Sequence, residues 1–439
     1  LKNRRKGKPV RFVYDREMDA GLLDYLIRRL QLNQKSNIIP GGRIHNFRHF
    51  MDFPDLEMEK SIRKASLTHP DLIKSLRVTD VVLKKDVMLH FPYHSFNSVI
   101  DLLRESAMDP DVLSIKITAY RLAPASKVIN ALINAARNGK DVTVMLEVKA
   151  RFDEEANLEW KDVLEQEGIT VLFGIQNMKV HAKVCVIKKR EKNRTVQYGF
   201  VSTGNLHEKT ARVYGDHCLL TSNRNIMADI NKIFQFLEHP EKGYGPLERC
   251  KTLVVSPISM RPTIVHLINQ EIKNAKAKKP AAITIKLNSL SDVDLIKKLN
   301  DAAVAGVTIN MIVRGIFCAL VDHKKFNAKP RAISIVDEYL EHARVMIFSN
   351  GGNPKVYISS ADWMVRNIDH RIEAAVPVLD PVIKQELQDI IHIQLQDNVK
   401  ARVLDSALLN NYVTSGSRKK IRSQIETYLY LQQKTNSKK

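Results

Sequence analysis

The stretch LSIKITAYR (Leu113–Arg121) and its later counterpart ITIKLNSLS (Ile283–Ser291) set the fold class, because each begins the same series of elements. Both stretches are apolar and β-branched, which is typical of buried strands. Each is followed by an Ala-rich helical pattern with Gly near its end, Val128–Lys140 in the first case and Asp294–Gly306 in the second. With a further strand after each helix, the pattern predicts a right-handed parallel β-α-β unit in both halves of the chain.

The spacing of later segments supports an internal repeat. The second strands are Val142–Arg151 and Val307–Gly315, and later in each half His181 or His342 stands at the start of another apolar strand. The separation between the two second strands is nearly equal to the separation between the two histidines. An approximate repeat of this kind predicts two α/β domains that share one plan.

The predicted domains are residues 76–250 and 251–439. Residues 1–75 lack the repeat and contain a helical stretch, Asp19–Leu32, so they are predicted to be the end of a helical domain. The basic tail from Ser415 is predicted to form a helix. The chain starts without Met on a basic run, which suggests a fragment of a longer protein.

Composition limits the class of protein and the class of partner. The chain of 439 residues has 44% hydrophobic residues and a formal net charge of +21, which is typical of a folded protein with a polyanionic partner. Nucleic acid, anionic lipid and polyphosphate all fit that charge. The four cysteines form no C-x-x-C pair, and no run of eighteen apolar residues occurs, so a cytoplasmic protein without a transmembrane segment is expected.

The residues that carry chemistry are two similar motifs, His181-Ala-Lys183 and His342-Ala-Arg344. Histidine can act as a nucleophile or proton shuttle near neutral pH, and a cation two positions along a strand shares its face. A turn follows each motif, ending at Asn205 or at Asp362, and an acid follows each turn at the same distance along the chain, Asp216 and Glu373. We therefore expect Asp216 to accept a hydrogen bond from Nδ1 of His181, and Glu373 one from His342.

The paired motifs resemble the phospholipase D superfamily, in which two H-x-K repeats meet at one pseudo-twofold site and transfer phosphoryl groups through a phosphohistidine. Two positions depart from that pattern. Lys188 stands where the superfamily has Asp, and Arg344 replaces the second Lys. These departures disfavour a standard phosphodiesterase.

Nearly the whole chain resembles the polyphosphate kinase family more closely. The resemblance is carried by segments such as ARFDEEAN (150–157), KVHAKV (179–184), STGNLHEKTARVYGD (202–216) and YISSADWMVRNIDHRIE (357–373). It implies two tandem phospholipase-D-like α/β domains and reversible transfer of the terminal phosphate of ATP to inorganic polyphosphate. By the same resemblance His181 is the phosphorylated residue, and Tyr214, Arg314 and His342 line the ATP site.

The family associates the positions of Arg121 and Arg151 with Mg²⁺. A guanidinium has only donors and a permanent charge, so we expect these arginines to clamp phosphate oxygens beside the ion rather than to ligate it. Lys183 and Arg344 are the other expected phosphate contacts. Lys149 is the register match of Arg314 when the two second strands are aligned from their first residues. By residue type alone, Tyr214 also fits a core aromatic, and the strand-end arginines also fit structural ion pairs.

The implied partners are ATP, ADP and inorganic polyphosphate, with Mg²⁺ as cofactor and no nucleic acid. A cytoplasmic homo-oligomer is expected, and the basic surface is compatible with peripheral membrane association. Two alternatives remain at this stage. One is a phosphodiesterase of the phospholipase D superfamily, either a nuclease or a lipid hydrolase. The other is a non-catalytic module that binds polyanions.

Overall fold

The structure is a computed structural model that describes residues 11–32, 37–43, 64–120, 125–147, 154–175, 178–407, 409–414 and 419–437; for 154–156 it describes the backbone only. Arg121, Lys149 and Arg151 lie outside the described residues. The chain divides into two compact units, Leu1–Lys64 and Ala65–Lys439. The larger unit therefore begins before the predicted domain boundary at residue 75.

The described part of the smaller unit is a strand, a helix and a strand. Strands β1 (Phe12–Asp15) and β2 (Ile38–Gly41) pair in parallel. Helix α1 (Ala20–Arg29) begins after Asp19, whose carboxylate accepts a hydrogen bond from the Leu22 amide at 2.8 Å. The helix confirms the helical pattern predicted from Asp19 onward.

The first half of the larger unit contains the first predicted repeat. Its helices are α2 (Val78–Val82), α3 (Asn97–Met108), α4 (Lys127–Arg137), α5 (Glu154–Gln166), α6 (Arg224–Glu238) and α7 (Gly245–Glu248). Its strands are β3 (Val87–Phe91), β4 (Val112–Ala119), β5 (Asp141–Leu146), β6 (Thr170–Phe173), β7 (Lys179–Val180), β8 (Lys183–Glu191), β9 (Arg194–Ser202) and β10 (Tyr214–Thr221).

The second half follows a similar order, although α5 has no helical counterpart among its described residues. Its helices are α8 (Met260–Lys276), α9 (Val293–Val304), α10 (Val365–Ile368), α11 (Pro381–Leu395) and α12 (Ser423–Asn436). Its strands are β11 (Val254–Ser256), β12 (Ala282–Leu287), β13 (Thr308–Val313), β14 (Arg331–Ile335), β15 (Leu340–Glu341), β16 (Arg344–Phe348), β17 (Lys355–Ser359), β18 (Arg371–Pro377) and β19 (Ala401–Val403).

Both halves build a mixed sheet with the same topology. In the first sheet β4, β5 and β6 are parallel, and β8, β9 and β10 continue from β4 as an antiparallel meander. In the second sheet β12, β13 and β14 are parallel, and β16, β17 and β18 form the matching meander. The predicted parallel β-α-β units and the tandem α/β fold are confirmed.

Each half contributes one short strand to the sheet of the other half. Strand β7 pairs in parallel with β18, at Lys179↔Arg371 and Val180↔Ile372. Strand β15 pairs in parallel with β10, at Tyr214↔Leu340 and Gly215↔Glu341. Because β7 and β15 lead directly into His181 and His342, this exchange decides which residues surround each histidine.

The cores follow from the alternation of side chains along the strands. On β8, Cys185 and Ile187 face a core of the first half, whereas Val184 and Val186 face a core that contains residues of both halves. A third core lies in the second half, where Ile283 and Ile285 face α8 and α9. A core shared by both sheets holds the two histidine motifs on one rigid support.

The C-terminal helix α12 confirms the helix predicted in the tail. It packs against α11 and against the short turn Pro70–Leu72. Leu431 is buried with Ile390 and Tyr93, so the helix joins the two halves of the larger unit through its apolar side.

Candidate active site

The two histidine motifs meet where the short strands cross between the halves. The backbone amides of His181 and Ala182 both donate to the Ile372 carbonyl at 2.8 Å. The amides of His342 and Ala343 donate in the same way to the Gly215 carbonyl, at 3.1 and 2.7 Å. The two halves are therefore joined by equivalent backbone hydrogen bonds, and the site has pseudo-twofold symmetry.

Each histidine is hydrogen-bonded to the acid of the other half. Nδ1 of His181 lies 2.8 Å from Oε2 of Glu373, and Nδ1 of His342 lies 2.9 Å from Oδ2 of Asp216. The predicted pairing within each half is wrong. Spacing along the chain correctly identified the two acids, but the exchange of β7 and β15 moves each histidine next to the other half's acid.

Within its own half, each acid is held by the hydroxyl of the preceding turn. Thr203 Oγ1 donates to Oδ1 of Asp216 at 2.6 Å, and Ser360 Oγ donates to Oε2 of Glu373 at 2.5 Å. Glu373 also accepts a hydrogen bond from Nδ2 of Asn367 at 2.8 Å. These bonds hold the carboxylates toward the imidazoles and satisfy buried charge.

The carboxylates determine the tautomer of both rings. A carboxylate only accepts hydrogen bonds, so Nδ1 carries the proton in each neutral imidazole and Nε2 keeps its lone pair. Nη1 of Arg344 lies 3.1 Å from Nε2 and 3.3 Å from Nδ1 of His342, so the guanidinium lies over the face of this ring. Among the described residues, none donates a hydrogen bond to Nε2 of His181, whose ring meets that of Tyr120, so the two rings differ in the group that lies against them.

Burial and charge tune the first histidine motif. Burial lowers the pKa of His181 to about 4, because the loss of hydration outweighs the opposing effect of the Glu373 carboxylate and the positive charge of Lys183 adds to it. Burial also lowers the pKa of Lys183 to about 7. Lys183 is 1% exposed, and its Nζ has no hydrogen-bond partner within the described part of the chain.

The ring of Tyr120 borders both groups. It meets the His181 ring edge-on, with 4.9 Å between centroids, and its centroid lies 5.5 Å from Nζ of Lys183. An aromatic face is a weak partner for an ammonium group compared with an anion. Lys183 is therefore a buried cation that an incoming phosphate can neutralise.

The corresponding cation of the second half is already neutralised. Nε and Nη2 of Arg344 donate to the two carboxylate oxygens of Asp362 at 3.2 and 3.0 Å. Burial disfavours ionisation of Asp362, yet the charge of Arg344 and its hydrogen bonds lower the pKa of that carboxyl to about 2. The amides of Asn288 and Ser289 also donate to Asp362, at 2.8 and 2.9 Å.

Arg314 and Tyr214 flank a cavity of about 310 Å³ beside the second histidine. Nε of Arg314 donates to Oδ1 of Asn288 at 2.9 Å, and the Tyr214 ring lies 5.3 Å from the His342 ring. The rest of the cavity is lined by Val213 and by residues 335–340. The structure thus places Tyr214 and Arg314 on one cavity with His342 next to Tyr214, and their assignment to an ATP site stays a prediction.

The register match predicted for Arg314 is wrong. The amide of Arg314 donates to the Leu287 carbonyl at 3.4 Å, and in the first half the amide of Glu147 makes the same bond to Ala119 at the same distance. Glu147 is therefore the counterpart of Arg314, not Lys149. The error arises because Val142 and Val307 are not equivalent: the strands begin at Asp141 and Thr308, and from those residues the pairing is regular to their ends.

Three further residues belong to the site, and the sequence analysis assigned no chemical role to them. Asp362 and Asn288 form the network that holds Arg344 and Arg314, and Tyr120 covers the first motif. A signal for Asp362 existed in the aligned repeats. The change from Lys183 to Arg344 accompanies a change from Asn205 to Asp362, as expected for a pair that gains an ionic contact.

The described residues do not offer a ready set of protein ligands for Mg²⁺. No group of three or more His, Cys, Asp or Glu side chains in the described ranges could hold a metal ion. Asp216, Glu373 and Asp362 already accept hydrogen bonds from histidine or arginine. The chemistry of the site fits an ion that is held mainly through phosphate oxygens and water.

Comparisons with known proteins assign the family. Three profiles match successive parts of the chain: "Polyphosphate kinase middle domain" at residues 1–53, "Polyphosphate kinase C-terminal domain 1" at 77–243 and "Polyphosphate kinase C-terminal domain 2" at 253–424. The chain belongs to the polyphosphate kinase family. The family resemblance drawn from the sequence is confirmed.

Relatives and solved structures in the polyphosphate kinase family match nearly the whole chain. A polyphosphate kinase of Vibrio parahaemolyticus is 46% identical over 98% of this chain and 62% of its own length, and that of Escherichia coli K12 is 44% identical over 98% and 63%. The crystal structure of polyphosphate kinase from Porphyromonas gingivalis matches with a TM-score of 0.86 and 36% identity, over 98% of this chain and 66% of that one. The chain spans about three fifths of the length of these two curated relatives.

A more distant structure shows only that the fold is shared. The phosphatidylserine synthase of Haemophilus influenzae Rd KW20 matches with a TM-score of 0.51 and 10% identity, over 81% of this chain and 95% of that one. Among the described residues of this polyphosphate kinase family member, every helix is too short or too polar to cross a lipid bilayer.

Proposed function

We propose that this chain carries the catalytic site of a polyphosphate kinase, which reversibly transfers the terminal phosphate of ATP to inorganic polyphosphate through a phosphorylated His181. The observation that carries the proposal is the arrangement at His181. Its Nδ1 is bonded to Glu373, its Nε2 accepts no bond from a described residue, and the buried Nζ of Lys183 is unpaired in the described part of the chain. Family membership supports the substrates.

The first step is an attack by the lone pair of Nε2 on the γ-phosphorus of ATP. An N–P bond forms, the bond from the γ-phosphorus to the bridging oxygen breaks, and ADP leaves with that electron pair. Glu373 keeps the Nδ1 proton in place and stabilises the positive charge that develops on the ring. Lys183 begins β8 two residues after His181, and its buried Nζ neutralises charge on the equatorial oxygens.

In the second step, a terminal oxygen of polyphosphate attacks the phosphohistidine. The N–P bond breaks and its electrons return to Nε2, so the polymer grows by one phosphate and the histidine is regenerated. Attack by ADP instead of polyphosphate gives ATP, which makes the reaction reversible. Phosphoryl transfer depends mainly on alignment and charge neutralisation, and the rigid shared core supplies the alignment.

The nucleotide is assigned to the cavity beside Tyr214 and Arg314. Arg314 is aimed by Asn288, and a guanidinium can clamp two phosphate oxygens at once. His342 lies between this cavity and the first motif, where its assigned role is to contact phosphate or move a proton. Arg121 and Arg151 remain assigned to phosphate oxygens that Mg²⁺ also contacts, and the ion supplies charge neutralisation when bound.

The setting of the reaction is also part of the proposal. ATP and ADP are the expected substrates, so the protein is assigned to the cytoplasm, with nucleic acid excluded as its substrate. The excess of basic residues, +21 in net charge, suits a long polyphosphate chain and is compatible with peripheral association with an anionic membrane. Assembly into a homo-oligomer stays a prediction.

The test uses the complete natural chain with γ-labelled ATP and Mg²⁺. We expect ADP release that depends on added polyphosphate, label in the polymer, and acid-labile, base-stable label on His181. His181→Ala should abolish all three, whereas His266→Ala, which changes an exposed histidine on α8, should change none. Hydrolysis of phosphodiesters without polyphosphate-dependent ADP release would instead support the phosphodiesterase alternative, and binding without turnover would support the polyanion-binding module.

A further inference from the structure

Asn205 and Asp362 occupy equivalent positions in the two halves. Thr203 donates to Asp216, Ser360 donates to Glu373, and the residue two positions after each donor is Asn205 or Asp362. The same comparison pairs Lys183 with Arg344. One half therefore combines lysine with an amide, and the other combines arginine with a carboxylate.

Asp362 keeps Arg344 in one orientation. The guanidinium and the carboxylate side chains are 3% and 7% exposed, and they share two hydrogen bonds. The remaining terminal nitrogen, Nη1, lies 3.1 Å from Nε2 and 3.3 Å from Nδ1 of His342, so it contacts the face of the ring. As a result a cation that the carboxylate holds in place faces the ring, where it opposes the positive charge that His342 would acquire on attacking phosphorus.

The first half has no such arrangement among its described residues. Asn205 carries no charge, and its buried Oδ1 has no hydrogen-bond partner in the described part of the chain. The ammonium group of Lys183 is likewise buried without a described hydrogen-bond partner. Nε2 of His181 accepts no hydrogen bond from a described residue, so both the cation and the nucleophile of this half are available to a phosphoryl group.

We propose that Asp362 is a positioning residue that assigns the two histidines their different roles. By binding Arg344 and holding it over the His342 ring, Asp362 disfavours attack by the second histidine and leaves phosphoryl acceptance to His181. This inference rests on the proposed function, because it explains which of two similar histidines forms the N–P bond. It predicts that the second half becomes competent when its cation and its carboxylate are changed to those of the first half.

The decisive experiment gives the second half the residues of the first. In the complete natural chain, His181→Ala is combined with Arg344→Lys and Asp362→Asn, and acid-labile label from γ-labelled ATP is mapped. We expect label on His342 in this variant, whereas His181→Ala alone carries none. Asparagine keeps an oxygen that can accept from the amides of Asn288 and Ser289, so the turn remains supported.

A kinetic cycle tests the same idea without the loss of His181. Asp362→Asn alone leaves the buried positive charge of Arg344 without its carboxylate, so we expect tighter phosphate binding. KM for ATP should fall by about threefold to tenfold, and kcat should also fall because ADP is released more slowly. Adding Arg344→Gln removes that extra charge and should return KM toward the wild-type value. A merely structural role for Asp362 would raise KM, and Arg344→Gln would not reverse it.

A control and two outcomes complete the test. Asp369→Asn breaks another bidentate arginine pair in the same half, with Arg261, and should leave the site of labelling and KM unchanged. The role of Asp362 is overturned if the wild-type protein is labelled on His181 but the triple variant carries no label and Arg344→Gln does not restore KM. In that case the proposed function still stands. Absence of label and of polyphosphate-dependent ADP release in the wild-type protein overturns both. If the triple variant does not fold, the kinetic cycle decides the matter.

Discussion

Nδ1 of His181 lies 2.8 Å from Oε2 of Glu373, although the two residues are 192 positions apart and belong to different repeats. Glu373 is fully buried and also accepts from Ser360 and Asn367, so its position is strongly constrained. A histidine whose tautomer is set from the opposite repeat cannot be oriented correctly unless both repeats are docked. The contact therefore couples the docking of the two halves to catalysis.

Glu373→Gln should lower kcat for polyphosphate synthesis by about 10-fold to 100-fold, the usual effect of removing a carboxylate that orients a histidine. The amide cannot stabilise the charge that develops on His181. The measurement is the initial rate of ADP release with saturating ATP and polyphosphate. Glu341→Gln places the same change on a buried acid outside the histidine pair and should cost less activity; equal losses would argue against the orienting role.

The activity should depend on pH through His181 and Lys183. Burial lowers the pKa of His181 to about 4, so its Nε2 lone pair is available above that pH and is lost as the pH falls through it. Burial lowers the pKa of Lys183 to about 7, so the phosphate-binding charge is present below that pH and is lost as the pH rises through it. We expect kcat/KM for ATP to fall on the alkaline side of about pH 7.

Lys183→Arg is the matched test of the alkaline limb, because arginine stays charged throughout the range in which proteins are stable. Its kcat/KM, whatever its absolute value, should no longer decline near pH 7. A decline that persists unchanged in this variant would assign the alkaline limb to another group.

Arg314→Ala should lower kcat/KM for ATP by about 10²-fold to 10³-fold, as expected when one preorganised phosphate donor is removed. The protein should remain folded, because Arg314 is only partly buried and the Asn288 side chain is its described side-chain partner. Arg331→Ala removes an exposed arginine from the neighbouring strand and is the matched control. Wild-type turnover in Arg314→Ala would make this arginine structural.

His342→Ala should slow turnover but still permit label to accumulate on His181. The ring contacts Asp216 and Arg344 and lies beside the nucleotide cavity, whereas the N–P bond is assigned to the other histidine. Labelling in a single turnover separates bond formation from the complete cycle. Complete loss of label on His181 would show that His342 is required for the first step.

The buried pair of Lys286 and Glu341 should contribute strongly to stability. Both side chains are 3% exposed, and Glu341 also accepts from Gln424 at 2.7 Å and from Gln394 at 3.2 Å. Glu341→Leu should lower the free energy of unfolding by about 3 to 5 kcal/mol, because it leaves a buried ammonium uncompensated. Urea titration measures the loss, and adding Lys286→Met should recover much of it. A loss in the single variant no larger than that in the double variant would contradict the explanation.

Much of the architecture followed from patterns within short segments. Apolar, β-branched runs such as Leu113–Arg121 and helical spacing such as Asp294–Gly306 reflect contacts among near neighbours, and the predicted β-α-β units formed where expected. Family resemblance added the chemical roles of His181, Tyr214 and Arg314, which local patterns cannot supply. The distances agree with a shared site but leave those roles to the experiments above.

The limits of the sequence are clearest at the acids and at Arg314. Equal spacing correctly identified Asp216 and Glu373 as counterparts, but it contains no information on which histidine each one meets. An alignment of Val142 with Val307 likewise assigned Lys149 rather than Glu147 as the counterpart of Arg314, because local pattern does not show where each strand begins.

Repetition in the chain was sufficient to establish two α/β domains of one plan and a pair of equivalent histidine motifs. The crossing of β7 and β15 into opposite sheets, by contrast, depends on how two preformed surfaces pack, and it joined His181 to Glu373 and His342 to Asp216. Asp362 meets Arg344 within the second half, where Arg344 pairs with Ser359, whereas Lys183 has no described hydrogen-bond partner. Period and propensity are local, whereas these two histidine–carboxylate contacts join residues of different halves that only the burial of a common core brings together.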